Sequence, residues 1–210
     1  MYDMYGIWVI ITGEKPETVI IMTAGGNLMR LFIAINFDED VKKRIAEVRE
    51  ELRNSSSSGN FTRDENLHLT LVFLGEVPGS RVREIENIME ETDEEPFELE
   101  FGRLGCFKRD HGGDVWWLGC KKHRSLMNIQ RQLSEKLGAA GFKIEKRQYR
   151  PHLTLGREVV IDGRGKIFGS ESPEHNPITV PVGQISLMHS ERIDGKLTYT
   201  SLYEKPLWYK

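Results

Sequence analysis

HLTL stands at residues 68–71 and again, unchanged, at residues 152–155. Both copies lie in short runs of residues that favour β-strands. Alternate side chains of a strand point to opposite faces, so in each copy the histidine and the threonine share one face and the two leucines share the other. The repetition predicts two equivalent strands with buried leucine faces. Their polar faces hold His68 and Thr70 in the first copy and His152 and Thr154 in the second.

Similar elements precede each copy. The first follows an apolar strand at residues 31–37 (LFIAINF) and a helix that starts at the N-cap Asp38. The second follows a strand at residues 115–120 (VWWLGC) and a helix at residues 125–138. Each helix carries one apolar stripe with spacings of three and four residues. The stripes are Val41, Ile45, Val48 and Leu52 in the first helix, and Leu126, Ile129, Leu133 and Leu137 in the second.

The spacing is repeated as well as the order. Leu31 and His68 are 37 positions apart, and so are Val115 and His152, which gives an offset of 84 positions between the copies. Two strand–helix–strand units predict an α+β fold with two similar lobes. If a pseudo-two-fold axis relates the lobes, the two His-Thr faces meet across a central cleft.

The rest of the chain predicts further elements and a domain limit. Residues 54–60 (NSSSSGN) are typical of a flexible connector, residues 79–91 predict a helix, and three more strands are expected. These strands cover residues 97–107, 178–189 and 197–203. Residues 1–28 contain a short apolar run without the features of a signal peptide. We expect an N-terminal extension over residues 1–28, with Met29 as a candidate native start, followed by a two-lobed domain over residues 29–210.

Composition sets limits on the class of protein. The chain has 210 residues, of which 39% are hydrophobic and 29% charged, as expected for one globular domain. No apolar run reaches the length of about 18 residues that a membrane helix needs. Two cysteines, Cys106 and Cys120, are too few for a disulfide framework and indicate a reducing, cytoplasmic location. The net charge of −3 gives no general attraction to nucleic acid, but residues 143–166, around the second HLTL copy, contain seven basic and three acidic residues.

Two imidazoles and two hydroxyls that face one another suit phosphoryl chemistry. An attacking water must lose a proton and the departing oxygen must gain one, and histidine performs either task near neutral pH. The hydroxyls of Thr70 and Thr154 can donate hydrogen bonds to phosphate oxygens as negative charge grows there. A metal site is disfavoured, because two histidines leave a catalytic zinc short of its three protein ligands. The remaining histidines (His111, His123, His175 and His189) fit no such pattern and are expected to have structural or surface roles.

At these residues the sequence resembles the 2H phosphoesterase superfamily, and within it the bacterial and archaeal RNA 2',3'-cyclic phosphodiesterases, also called 2'-5' RNA ligases. The matching segments are MRLFIAINF at 29–37, HLTLVFLGEV at 68–77, VWWLGC at 115–120 and RPHLTLGR at 150–157. The resemblance implies a bilobal fold whose antiparallel sheets line the cleft. It also implies hydrolysis of a terminal RNA 2',3'-cyclic phosphate to a 2'-phosphate, without cofactor or metal, and a possible reverse reaction that joins tRNA halves through a 2'-5' linkage.

The resemblance also implies residue roles. It assigns His68 as proton donor and His152 as proton acceptor, and it places Arg157 near the substrate. Arg150 is a second candidate for substrate binding, since alternation from His152 puts it on the same face. The expected partners are RNA with cyclic phosphate ends or small cyclic nucleotides. No membrane is involved, and the chain is expected to be a monomer.

Two other classes of function stay open on the sequence. The same cleft could serve a phosphodiesterase for another small cyclic phosphate, or a non-catalytic module that binds RNA ends. Pure binding relies on arginine and aromatic side chains more than on titrating imidazoles, so the paired histidines favour an enzyme. Sensitivity to a chelator would distinguish a zinc hydrolase from both of these functions.

Overall fold

The computed structural model describes residues 27–161 and 176–209. In these residues the chain forms nine strands and three α-helices. In chain order they are β1 (Leu28–Asn36), α1 (Glu39–Asn54), β2 (Ser56–Phe61), β3 (His68–Pro78), α2 (Val82–Glu90), β4 (Phe97–Phe107), β5 (Asp114–Cys120), α3 (Arg124–Ala139), β6 (His152–Ile161), β7 (Ile178–Val182), β8 (Gln184–Ile193) and β9 (Lys196–Pro206).

The strands form two antiparallel sheets. One has four strands in the order β3-β1-β8-β9, and the other has five in the order β2-β6-β5-β4-β7. The two strands that begin with His68 and His152 thus belong to different sheets, and β3 and β6 contact each other where the sheets meet. The predicted α+β fold, with two lobes and antiparallel sheets around a cleft, is confirmed.

Strand pairing shows the internal duplication directly. β1 pairs with β3 in one sheet as β5 pairs with β6 in the other. In the first pair the register advances by one residue after Thr70, because Ala34 lies opposite Thr70 whereas Ile33 lies opposite Val72. The second pair has the same bulge after Thr154, at an offset of 84 positions. The lobes therefore share a local irregularity as well as their topology.

The helices join the two lobes. α1 follows β1 of the four-stranded sheet yet contacts β7 of the five-stranded sheet, while α3 follows β5 and contacts β3. The predicted apolar stripes of both helices are buried, and the Asp38 carboxylate caps α1 by accepting a hydrogen bond of 2.8 Å from the amide of Val41. Both HLTL leucine pairs join the same continuous core, and each fully buried leucine contributes about 1.5–3 kcal/mol of transfer free energy.

Two sequence predictions about strands are corrected. Residues 54–60 are not a flexible connector, because β2 pairs with β6. The backbone groups on that edge of β6 thereby gain hydrogen-bond partners. Residues 178–189 form two strands: β7 pairs with β4, and after Gly183 the chain enters the other sheet, where β8 pairs with β1. In both places the pairing of strands from distant parts of the chain determines the structure, and the local sequence preference is too weak to predict it.

Some expectations fall outside the described residues. The N-terminal extension is described only from residue 27, and His175 lies in the other gap. Cys106 and Cys120 are free and half-buried, as expected. Within the described ranges no helix combines the length and apolarity required to cross a bilayer.

Candidate active site

The polar faces of β3 and β6 meet at the junction of the two lobes. Leu69 and Leu153 are fully buried on the core side, while His68 and His152 are half-buried on the opposite face. A hydrogen bond crosses the junction, because the hydroxyl of Tyr149 donates to the backbone carbonyl of Thr70 at 2.8 Å. The segment before His152 is thereby attached to the strand that carries His68.

The hydrogen bonds of His68 define its tautomer. Nδ1 lies 2.8 Å from the carbonyl oxygen of Asn66, and a carbonyl only accepts, so Nδ1 carries a proton. Nε2 lies 2.9 Å from the hydroxyl of Thr70. In the neutral ring Nε2 accepts from this hydroxyl, and in the imidazolium it donates to it. Nε2 is therefore the nitrogen available for proton transfer.

His152 is held in the same way. Its Nδ1 lies 2.7 Å from the carbonyl oxygen of Arg150, again two residues upstream in the chain. The proton is placed on Nδ1, which leaves Nε2 as the reactive nitrogen. Both repeats thus use the backbone carbonyl at position −2 to set the tautomer and ring orientation.

Burial favours the neutral form of both imidazoles. Loss of solvent, together with the positive charges of Arg157 and His152, lowers the pKa of His68 to about 4, against the opposing hydrogen bond to Asn66. The pKa of His152 is lowered by burial and by Arg157, while its bond to the carbonyl of Arg150 opposes the shift. A positive charge on His152 thus disfavours protonation of His68.

Arg157 reaches this face because of the bulge in β6. Strict alternation from His152 would turn position 157 toward the core. The bulge after Thr154 places Gly156 opposite Trp116 and moves Arg157 to the outer face, where it is exposed. Its positive charge lowers the pKa of both histidines, and it opposes the rise that burial causes in the pKa of Tyr199. The sequence places Arg157 near the site by resemblance alone, and the bulge is the structural reason.

The other lobe has a different residue at the equivalent position. Phe73 lies five residues after His68, as Arg157 lies five residues after His152, and it is 45% exposed. The guanidinium of Arg30 lies over its ring, 4.9 Å from the centroid. The duplicated scaffold therefore presents a cation on one lobe and an aromatic ring on the other.

Arg150 contributes to the site through its backbone. Its carbonyl orients His152, and its exposed side chain lines a groove next to Trp117 and Pro151. It precedes β6, and its guanidinium does not contribute to the pKa shift of either histidine. Of the two predicted arginines, only Arg157 exerts that electrostatic effect.

Sequence reasoning did not place Tyr199, Phe107 or Trp117 beside the histidines. Phe32 lies 4.8 Å and Tyr199 5.2 Å from the ring of His68, between ring centroids. Phe107 and Trp117 lie 5.1 Å and 6.2 Å from the ring of His152. These rings contribute to the burial of the two histidines. Phe32 and Trp117 could have been predicted near the site, because they lie in the strands that pair with the HLTL strands. Tyr199 reaches the site only through the pairing of β8 with β9.

Two of the remaining histidines, His123 and His189, have local contacts. His123 caps α3 by accepting from the amide of Ser125 at 3.2 Å, and its ring stacks on Phe97. His189 lies 3.3 Å from the carboxylate of Glu191. Over residues 27–161 and 176–209, the side chains form no cluster of three or more His, Cys, Asp or Glu suited to a metal ion.

Comparisons with known proteins agree with this architecture. The family described as LigT like Phosphoesterase matches the chain twice, at residues 35–117 and at residues 118–199, one match for each repeat. A protein of Thermotoga maritima named RNA 2',3'-cyclic phosphodiesterase is 34% identical, over 84% of this chain and 94% of its own. A protein of Methanothermobacter thermautotrophicus with the same name is 31% identical, over 83% of this chain and 96% of its own.

A solved structure shows the same fold. The apo form of Escherichia coli LigT superposes with a TM-score of 0.73 and covers 88% of this chain and 100% of its own, at 24% identity. The two matches to the family model and the two relatives above 30% identity together show the family of this chain. The chain belongs to the LigT-like phosphoesterases, a family of 2H phosphoesterase enzymes.

Proposed function

We propose that this protein hydrolyses the terminal 2',3'-cyclic phosphate of RNA to a 2'-phosphomonoester, without a metal ion, and that His68 and His152 are its acid and base. The observation that carries the proposal is the equivalent placement of the two imidazoles. Each has its Nδ1 held by a carbonyl and its Nε2 available, on two strands that meet at the lobe junction. The names of the relatives above 30% identity support the choice of substrate.

The reaction needs two proton transfers. In the proposed mechanism, Nε2 of His152 takes a proton from a water molecule, whose oxygen forms a bond to phosphorus. The bond from phosphorus to O3' breaks, and O3' takes the proton from Nε2 of His68. The phosphate remains on O2'. The assignment of His68 as donor and His152 as acceptor follows the family resemblance, and positioned acids and bases of this kind each contribute about 10²–10⁴ in rate.

The low pKa of His68 requires that the substrate itself helps to protonate it. A donor with a pKa of about 4 is neutral at pH 7. Raising that value by three units takes about 4 kcal/mol. A phosphate charge about 4 Å away supplies roughly that energy at the effective dielectric constant of such sites. Binding of the anionic substrate and uptake of a proton by His68 are therefore coupled.

Thr70, Thr154 and Arg157 are proposed to act on the phosphate. The two hydroxyls share the faces of the histidines, so they can donate to non-bridging oxygens as negative charge builds up. Arg157 supplies a positive charge near both histidines and is proposed to bind the phosphate or to stack on the base. Arg150 is proposed as a weaker substrate contact.

The same site could open the cyclic phosphate with an alcohol in place of water. The 5'-hydroxyl of a second RNA would then attack phosphorus and lose its proton to His152, the bond from phosphorus to O3' would break, and the two ends would be joined through a 2'-5' linkage. Because one chain supplies both halves of the cleft, we infer that a monomer is sufficient for either reaction.

The function is tested with 2',3'-cyclic AMP and with an oligonucleotide that ends in a cyclic phosphate, both in EDTA. We expect both to be opened and only 2'-phosphates to form. Loss of activity in EDTA would contradict metal-independent catalysis, and 3'-phosphate products would contradict the proposed proton roles. Absence of turnover, with tight binding of RNA ends, would favour the binding module instead.

The pH profile should be shifted toward acid. The active form of the free enzyme has one protonated and one neutral histidine, and both pKa values lie below the usual 6.5. We therefore expect a bell-shaped kcat/KM profile centred below pH 6.5, falling on the alkaline side as the donor loses its proton. Initial rates between pH 4 and 9, with circular dichroism as a control for unfolding, measure it. A flat profile from pH 5 to 9 would count against the pair.

A further inference from the structure

The face that carries His152 continues across the five-stranded sheet. Gly119 of β5 lies directly opposite His152 of β6 on one side and opposite Arg103 of β4 on the other. Residues in direct register share a face, so Arg103 lies on the same face as His152, two strands and about 10 Å away. Gly119 contributes no side chain between them, so the path from the histidine to the arginine runs over the indole of Trp117, which lies against Gly119.

This path is part of a groove of about 710 Å³. The charged residues of its lining are mainly basic. There are four basic residues and one acid, Glu100; the basic residues are Arg103, Lys121, Lys122 and Arg150. Lys121 pairs with Glu100 at 3.5 Å. Arg103 is exposed and forms no ion pair with any carboxylate of the described ranges, so its charge is available to a ligand.

The floor of the groove is an aromatic ring packed against glycine. A Cβ atom on Gly105 would come within 2.3 Å of the indole of Trp117, and one on Gly119 within 2.9 Å. Only glycine at these two positions allows the indole to lie across the strands. Trp117 also approaches the ring of His152, so the groove is continuous with the active site. A basic groove over a flat aromatic floor is typical of single-stranded nucleic-acid binding.

We propose that this groove binds the RNA chain on the 5' side of the cyclic phosphate, with Arg103 on the phosphodiester that precedes the terminal nucleotide. The inference rests on the proposed function and adds to it a contact beyond the terminal nucleotide, which would favour oligonucleotide ends over nucleoside cyclic phosphates. A mononucleotide occupies the histidine pair but has no phosphodiester to place at Arg103.

The test compares kcat/KM for 2',3'-cyclic AMP and for a tetranucleotide with a cyclic phosphate end. In the wild type we expect the tetranucleotide to be preferred. Arg103→Gln should lower its kcat/KM about tenfold and leave the value for cyclic AMP unchanged. The slope of log kcat/KM against log salt should become shallower by about 0.7 for the tetranucleotide, since one phosphate contact is lost. Arg131→Gln, an exposed arginine on α3, is the matched control and should change neither substrate.

Two results would overturn the inference. One is an equal loss of kcat/KM with both substrates, which would show that Arg103 contacts the terminal phosphate or only stabilises the fold. The other is no loss with either. If the wild type turns over neither substrate, the proposed function fails. A binding measurement then still tests whether the groove binds RNA. Fluorescence anisotropy of a labelled tetranucleotide with a 3'-phosphate should then show about tenfold weaker binding to Arg103→Gln, and equal binding would refute the groove.

Discussion

Replacement of His68 or His152 by Asn is expected to lower kcat for 2',3'-cyclic AMP by about 10²–10⁴ in each case. The double variant should lose little more than either single variant, because the two groups act on one reaction step as a unit. Asparagine keeps a side-chain donor that can reach the carbonyl of Asn66 or Arg150, so the strands should keep their positions. Steady-state kinetics and circular dichroism of the three variants measure both effects.

A substrate with an activated leaving group separates the two roles. The p-nitrophenolate of bis(p-nitrophenyl) phosphate departs without a proton, so His68→Asn should retain most of the wild-type rate with it, while His152→Asn should not. The reverse pattern would exchange the donor and the acceptor. His111→Ala removes an exposed histidine outside the site and serves as the control. Full activity of both Asn variants on the cyclic substrate would end the proposed mechanism.

The second large effect is expected from the threonine hydroxyls. Thr70→Val or Thr154→Val removes one donor to the phosphate oxygens and should lower kcat by about 10²–10³, with a smaller change in KM. Thr→Ser at the same positions keeps the hydroxyl and should recover most of the rate. Thr70 has an additional contact, because its hydroxyl lies 2.9 Å from Nε2 of His68. Thr70→Val should therefore also change the pH dependence, which Thr154→Val need not do.

Measurement of kcat, KM and the pH profile for the four variants tests this division of roles. A uniform rise in KM with unchanged kcat would show that the hydroxyls bind the ground state only. Serine variants as inactive as the valine variants would show that the threonine methyl groups, and hence packing, carry the effect. Thermal denaturation of each variant distinguishes the second result from general loss of structure.

The duplicated scaffold explains how two identical motifs can serve different purposes. Both repeats fix their histidine by a carbonyl at position −2 and both have a bulge after the threonine. Beyond the bulge they diverge, with Phe73 on one lobe and Arg157 on the other. In the proposed mechanism, a symmetric pair of imidazoles in asymmetric surroundings would provide one acid and one base, because the neighbouring charges and rings would decide which is protonated.

Much of the fold could be predicted from local patterns. The helix stripes, the N-cap Asp38 and the leucine faces of β3 and β6 were all confirmed, since burial of apolar side chains and capping act over a few residues. The strand β2 and the division between β7 and β8 could not, because they depend on the edges of sheets built from distant segments. Local propensity carries no information on which edge is open.

For the candidate site, alternation alone placed His68 with Thr70 on one polar face and His152 with Thr154 on another, and the offset of 84 positions predicted that the two faces are equivalent. Those inferences need only the period of a strand and the presence of a repeat. The position of Arg157, the rings of Tyr199 and Phe107, and the path from His152 to Arg103 emerged only in three dimensions. A bulge reverses the alternation that a sequence implies, and cross-strand neighbours are joined by hydrogen bonds between residues far apart in the chain, so neither can be read along one strand.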